Sequence, residues 1–533
     1  MAGASHGAAM PLAARVWRFL TVHPRAAALG LGAFAATGFQ PLGLWPVALA
    51  AMAAFVALLG ETADAKRAAW LGWLFGVAHF TVSNNWIATA FTHQAEMPAV
   101  LGLVAVPLVA LYLAVYPALA ALGARAFAGR GFGWTLALAF AGCWTLSELM
   151  RAEVFTGYAW NPFAMVLLGP FDRPGLAALA PWMGTYALSG LAVFLAGALA
   201  VLVRERRLVP ALLVSVLLIV GMVLPAGAAR EGTLPFTLVQ PDLRQHRLSD
   251  PRYYEANFVT LARLSRPAAP GTTRLVLWPE SGLADYLAPG YPQRFYDRMT
   301  AFGDPALARA RIGRVIGPGS VLLTGAVELE IEGARAVGAY NAVSALGEDG
   351  TIHGSYAKAH LVPYGEYLPL REILEPIGLS RLVPGSIDFL PGPGPRTLDL
   401  GAHGKAGVQV CYEIVFSGEV AERGNRPDYI FNPSNDGWFG AFGPPQHLAQ
   451  ARLRAIEEGL PVLRSTTTGI SAVIDARGVV RDHFPQLKGG RMDGVVPPPA
   501  APTLFARLGN GLALFWAMVF LGLAAVALRR RAG

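Results

Sequence analysis

Gly407-Val408-Gln409-Val410-Cys411-Tyr412-Glu413 reads as a short buried strand that ends in a thiol. A strand end that turns sharply presents its side chain in a cleft, where the N–H of the next residue faces a developing oxyanion. Taken alone, a cysteine there is more often a small buried hydrophobe than a nucleophile. Around it lie further short apolar runs that end in polar or small residues: Phe236-Thr237-Leu238-Val239-Gln240, Leu275-Val276-Leu277-Trp278, Val321-Leu322-Leu323-Thr324-Gly325 and Tyr429-Ile430-Phe431. These read as buried strands of an α/β sandwich. The partly amphipathic stretch from Gln446 to Glu458 predicts a helix covering a sheet face.

The sandwich occupies only part of the chain. With 533 residues, 54% hydrophobic and 15% charged, the protein has too little polar surface for a water-soluble globule, and lipid must solvate part of it. Most acidic groups fall between 232 and 500, so the division reads as a membrane domain over 1–231, a soluble domain over 232–500, and a last span with a basic tail over 501–533. A bilayer core about 30 Å thick needs about 20 apolar residues of helix. Runs at 24–42, 43–60, 69–91, 99–124, 132–150, 182–203, 208–228 and 508–528 predict eight spans. The first run lacks a small-residue cleavage site and continues into a second, which favours an uncleaved span over a signal peptide.

Arginine and lysine orient those spans. Arg15, Arg18 and Arg25 precede the first, Lys66 and Arg67 follow the second, Arg125 and Arg130 the fourth, and Arg204, Arg206 and Arg207 the sixth; Arg529, Arg530 and Arg531 end the chain. Every second connection is basic, while the short loop after span three carries Glu96 alone. The soluble domain therefore lies opposite the cytoplasm, on the periplasmic side of a bacterial inner membrane. The net charge of +8 comes from these flanks, with no basic stripe interleaved with aromatics, so nucleic acid is not a partner. Cys143, in an apolar run, and Cys411, in the polar domain, make no disulfide framework.

Two polar residues at other strand ends give Cys411 chemical company. Glu280 follows Leu275-Val276-Leu277-Trp278-Pro279, and Lys358 stands in Tyr356-Ala357-Lys358-Ala359-His360-Leu361-Val362-Pro363-Tyr364-Gly365-Glu366. A carboxylate can take the thiol proton, and an ammonium can favour thiolate and stabilise a tetrahedral oxyanion. Singly, Glu280 reads as a helix-start carboxylate and Lys358 as a solvated surface cation.

Together, in this order, they resemble the nitrilase superfamily with its Glu-Lys-Cys triad. Trp278-Pro279-Glu280-Ser281, the Lys358 segment ending Pro363-Tyr364-Gly365-Glu366, Cys411-Tyr412-Glu413, Ser434-Asn435-Asp436-Gly437-Trp438-Phe439-Gly440 and Arg464-Ser465-Thr466-Thr467-Thr468-Gly469-Ile470-Ser471 are similar to motifs of its membrane branch, the apolipoprotein N-acyltransferase family. That resemblance implies a polytopic α-helical membrane domain of eight spans with a nitrilase-like αββα sandwich between the last two. It implies Glu280 as general base, Lys358 as oxyanion stabiliser and Cys411 as nucleophile. Glu366 would orient Lys358 or the attacking group, Tyr412 and Glu413 would shape the cleft behind the nucleophile, and Asn435 and Trp438 would line the acyl or headgroup side. Glu366 and Trp438 are also the candidates for seating the acceptor. Where the family places a tryptophan, this chain has Gln245-His246-Arg247-Leu248-Ser249-Asp250, with Tyr253 or Tyr254 as substitutes.

The resemblance further implies a phospholipid donor, phosphatidylethanolamine, and the N-terminal S-diacylglyceryl-cysteine of an apolipoprotein as acceptor, with neither cofactor nor metal. A thioester at Cys411 would retain acyl-transfer potential between two half-reactions in a compartment without ATP. A site open laterally to lipid would limit competing water. The other readings are a membrane-tethered amidase, which delivers the acyl group to water, and a non-catalytic lipid- or lipoprotein-binding scaffold. Glu148 and Arg151, three apart at the end of span five, read as an ion pair or a headgroup contact.

Overall fold

A computed structural model describes residues 12–93, 98–269, 271–377 and 388–532. Glu96, read above as part of an orienting loop, lies outside them. A helix falls in each of the eight apolar ranges: Pro24–Ala36, Trp45–Gly60, Ala65–Ser83, Leu101–Leu113 running on as Val115–Ala128, Trp134–Glu153, Ala180–Arg204, Leu208–Val223 and Gly511–Ala532. Among the described residues, three stretches are long and apolar enough to cross a membrane, namely Leu101–Ala128, Leu176–Arg204 and Gly511–Arg531. Trp45–Gly60 and Leu208–Val223 are apolar but shorter. Some sequence windows run past the helices, through apolar turns such as that between Thr37 and Leu44, whereas others stop short of helix ends at Ala128, Glu153 and Ala532.

Two features mark the helical part as lipid-solvated. Val209, Leu212 and Leu217 of Leu208–Val223 are 71%, 64% and 67% exposed, a face that water would not tolerate on a monomer. Between helices, small residues permit close approach: a Cβ on Gly32 would stand 2.1 Å from the Phe75 carbonyl oxygen.

The soluble part contains twelve described strands: β1 (Pro235–Gln240), β2 (Leu275–Leu277), β3 (Val321–Glu332), β4 (Arg335–Gly347), β5 (Ile352–Ala357), β6 (Thr397–Asp399), β7 (Lys405–Val408), β8 (Tyr429–Ser434), β9 (Val462–Thr466), β10 (Ser471–Ile474), β11 (Val480–Phe484) and β12 (Gly490–Val495). They form two six-stranded sheets in the orders β12-β1-β2-β3-β4-β5 and β11-β10-β9-β8-β7-β6. Within them β1, β2 and β3 are parallel, as are β7, β8 and β9. The five strands expected from sequence are β1, β2, β3, β7 and β8. β3 runs well beyond Gly325, as one arm of a long hairpin with β4.

Strand periodicity explains the layers. Leu238, Leu277, Leu323 and Val343 of the first sheet share a core with Val408, Phe431, Leu463 and Ala472 of the second. Their neighbours Val239, Val276 and Leu322 point the other way, onto Phe258 and Leu261 of the helix Tyr254–Leu264 and Ile312 and Ile316 of the helix Pro305–Ile316. The second sheet is covered by Gly443–Glu458, which is buried on all sides. Leu448, Ala451 and Ala455 pack on the sheet, whereas Ala449, Leu453 and Ile456 join the core of the apolar helices. The polar residues of this helix join the two parts. Arg452 donates to the carbonyls of Gly169 (2.8 Å), Pro170 (2.7 Å), Arg173 (2.9 Å) and Gly478 (2.7 Å). Gln446 accepts from Trp160 Nε1 and Asn161 Nδ2, at 2.9 and 3.0 Å.

Candidate active site

The site is assembled at strand ends, where parallel sheets open a crevice. β2 delivers Trp278-Pro279-Glu280. Trp278 is fully buried, with Nε1 donating to Ser265 Oγ at 2.7 Å, and the backbone of Glu280 lies over Gly325 of β3. A Cβ at Gly325 would be 2.0 Å from the Glu280 carbonyl oxygen, so only glycine allows this approach. β5 delivers Lys358, whose N–H donates to the Asn341 carbonyl at 2.8 Å. β7 leads to Cys411, which opens a 3-10 turn, Cys411–Val415, with φ of 51°. That left-handed backbone is strained for a residue bearing a Cβ.

Glu280, Lys358 and Cys411 converge. Lys358 Nζ lies 3.8 Å from Glu280 Oε1 and 2.9 Å from Glu366 Oε2. Asn341 Nδ2 bridges the carboxylates, donating to Glu280 Oε1 and Glu366 Oε1 at 2.8 Å each. The Asn435 backbone N–H donates to Glu280 Oε2 at 2.7 Å, and the charges of Glu280 and Lys358 both act on the buried Cys411 thiol.

Burial pushes the Glu280 carboxyl above the usual carboxylate range, with Lys358 opposing and Glu366 adding to the shift. Burial likewise drives the Cys411 thiol well above its ordinary value, helped by the negative charge of Glu280. Burial works against the Lys358 ammonium, but Glu366 and Glu280 outweigh it and hold its pKa up. The resting thiol is therefore protonated, beside a carboxylate of heightened basicity and a fixed cation. This arrangement can transfer one proton from sulfur to Glu280 as a substrate arrives, and Lys358 can balance negative charge on an attacked carbonyl.

The supporting residues fall into distinct places. Glu366 pairs with Lys358. Glu413 is a structural hub: Oε1 accepts from Tyr356 Oη (2.7 Å), Ala359 N (2.7 Å) and His360 N (3.2 Å), and Oε2 from Val410 N (2.7 Å). It thereby ties the Lys358 strand end to the turn that carries the thiol. Tyr412 is buried, stacked on Trp160 with 6.4 Å between centroids and edge-on to Phe416 at 5.1 Å. The Asn435 side chain is held by Thr467 (2.8 Å) and Gln245 (3.1 Å). Trp438 is half-buried against the His93 ring, where the sandwich meets the apolar helices. In the stretch where the family has its tryptophan, Gln245 makes the link to Asn435, while Tyr253 packs beside His246 and Arg247. The hydrogen bonds of Glu148 and Arg151 go elsewhere than to each other. Glu148 accepts from Trp144 Nε1 and Phe163 N, and Arg151 donates to the Tyr158 and Trp160 carbonyls.

Sequence reasoning missed Asn341, Gln446, Arg452 and a buried trio behind the thiol, Asp436, His447 and Arg464. Asn341 sits in a strand with no flanking motif. Asp436 and Arg464 stood inside quoted motifs without an assigned role. Cys411, Asp436 and His447 bring possible metal-ligand atoms within 4.8 Å of one another. The guanidinium of Arg464, 2.7 Å from Asp436 Oδ2, already supplies the positive charge there.

Two family descriptions match the chain: apolipoprotein N-acyltransferase N-terminal domain over residues 31–198 and carbon-nitrogen hydrolase over 242–487. Over 91% of its length, and 91% of theirs, it is 35% identical to the apolipoprotein N-acyltransferase of Rhodopseudomonas palustris and 32% identical to that of Bradyrhizobium diazoefficiens. It is 31% identical to the protein so named from Allorhizobium ampelinum, over 97% of this chain and 98% of that one.

Proposed function

We propose a reaction from one premise: this chain belongs to the apolipoprotein N-acyltransferase family. It is a phospholipid:apolipoprotein N-acyltransferase that performs the last step of lipoprotein maturation. Cys411 Sγ attacks the acyl ester carbonyl of a phospholipid, phosphatidylethanolamine in the first instance, as Glu280 takes the thiol proton. The oxyanion is met by Lys358 and by the N–H of Tyr412. Collapse breaks the ester bond, and Glu280 protonates the departing lysophospholipid alkoxide. The thioester is then attacked by the N-terminal amine of S-diacylglyceryl-cysteine. Glu280 takes the amine proton and returns it to the leaving thiolate, completing a ping-pong cycle.

The observation that carries this reading is the buried cluster in which Glu280 lies 3.8 Å from Lys358 Nζ and both charges act on the Cys411 thiol. The apolar helices packed against the same domain fit a reaction between two lipid-borne substrates. Eight spans, residues 1–231 and 501–533 in the bacterial inner membrane, and 232–500 on the periplasmic face complete the reading. Basic residues in alternate connections support that orientation.

The test is mass spectrometry of the purified chain after incubation with phospholipid, then with a diacylglyceryl lipopeptide. The expected result is one acyl group on Cys411 that passes to the lipopeptide amine. Discharge only to water would establish the tethered amidase instead, and an unacylated Cys411 would leave the scaffold.

A further inference from the structure

His447 stands apart from Glu280, Lys358 and Cys411, yet it holds the backbone of the nucleophile. It is fully buried in the helix Gly443–Glu458, with Nε2 3.0 Å from the carbonyl oxygen of Cys411. A carbonyl oxygen only accepts, so Nε2 carries the proton. On the far side of the ring, Nδ1 lies 3.0 Å from both Arg464 Nη2 and Asp436 Oδ1. Arg464 Nη2 in turn binds Asp436 at 2.9 and 2.7 Å, so the two residues hold the ring as a pair. Burial and the charge of Arg464 lower the imidazole pKa despite Asp436. Asn432 Nδ2 also faces the Cys411 oxygen, but at 3.5 Å, with its shorter bond of 2.6 Å going to the Gln409 carbonyl.

The grip matters because of where it acts. At φ of 51°, Cys411 occupies the left-handed region, which is strained for a residue with a Cβ, so the turn that carries the thiol has to be held by its surroundings. That peptide is rigid and planar, and it carries both the Cys411 carbonyl and the Tyr412 N–H, pointing in opposite directions. Fixing the carbonyl therefore aims the N–H. We propose that His447, held from behind by Arg464 and Asp436 with a proton on Nε2, is a positioning residue that sets the Cys411–Tyr412 peptide so that the thiol meets Glu280 and the Tyr412 N–H meets the oxyanion. The inference rests on the assignment of Cys411 as nucleophile.

The experiment follows Cys411 acylation by phospholipid in the full-length chain in detergent, across lipid concentrations, for wild type, His447→Leu, His447→Gln and His447→Asn. Glutamine can place an amide N–H near the Nε2 position, whereas asparagine falls short of the carbonyl. His447→Leu is expected to lower the maximal acylation rate on the order of 100-fold, with the half-saturating lipid concentration unchanged. His447→Gln should recover most of that rate and His447→Asn little. Wild-type acylation by His447→Leu, or a folded His447→Gln as slow as leucine, overturns the proposal. A second measurement needs no variant: 15N-histidine spectra of the wild-type chain, in which the ring that responds to alkylation of Cys411 should carry a proton on Nε2. A ring protonated on Nδ1 alone also overturns it. An unacylated wild-type Cys411 would sink the acyltransferase reading itself, whereas equal acylation of wild type and His447→Leu sinks only the positioning role.

Discussion

Replacing Glu366 by glutamine isolates the charge that tunes Glu280, the proposed base. Glu366 Oε2 lies 2.9 Å from Lys358 Nζ, closer than Glu280 Oε1 at 3.8 Å, and the lysine is 1% exposed. At an effective dielectric of about 20, these separations correspond to gross attractions of about 6 and about 4 kcal/mol. Glutamine still offers an oxygen to Nζ, and one fewer ion is buried, so the net loss of stability should sit at the low end for a broken buried pair, about 3 kcal/mol. The kinetic effect is more specific. Losing the nearer anion lets the ammonium move onto Glu280, and the negative charge of Glu366 no longer raises the Glu280 pKa. Both changes lower that pKa, so the base is weaker and the acid limb of the acylation profile moves to lower pH. Misplacement of Lys358 should also slow acylation on the order of 100-fold at the plateau. The assay is the rate of Cys411 acylation with phospholipid alone, by mass spectrometry, over a range of pH. A wild-type rate with an unmoved limb, or a limb moved to higher pH, would refute the reasoning.

Gly325→Ala should displace Glu280, because the new Cβ meets its carbonyl oxygen at 2.0 Å; acylation measured the same way should fall about 100-fold in a folded chain, and an unchanged rate would discard the contact. Trp438→Ala should form the acyl-enzyme normally yet discharge it slowly to lipopeptide, and absent acylation would move the residue to donor binding or structural support. Arg452→Met leaves carbonyls of both parts of the chain without their buried donor and should lower stability by about 3–5 kcal/mol, seen as a lower thermal midpoint in detergent; a loss below about 1 kcal/mol would contradict a clamp. A reporter fused near residue 350 should lie outside the cytoplasm and one after Arg531 inside it, and the same side for both would dismantle the eight-span reading.

The local patterns in this chain settled a good deal unaided. Apolar runs placed β1, β2, β7 and β8, because a strand period is written within a few consecutive positions, whereas Glu280, Lys358 and Cys411 stood out only when the family motifs were read together. The family resemblance was legible for the same reason: each motif is contiguous. The lengths of the apolar helices were less legible, since hydrophobicity continues through turns that the backbone nevertheless makes. What only the tertiary structure decided is the set of bonds between distant segments. Asn341, in the middle of β4, binds carboxylates 61 and 25 residues away, and His447 reaches a carbonyl 36 residues away. Nothing near either residue encodes such a partner, because the bond exists only after two sheets and a helix have packed. The raised basicity of Glu280 has the same origin: it comes from burial and from the charge of Glu366, and both belong to the folded chain.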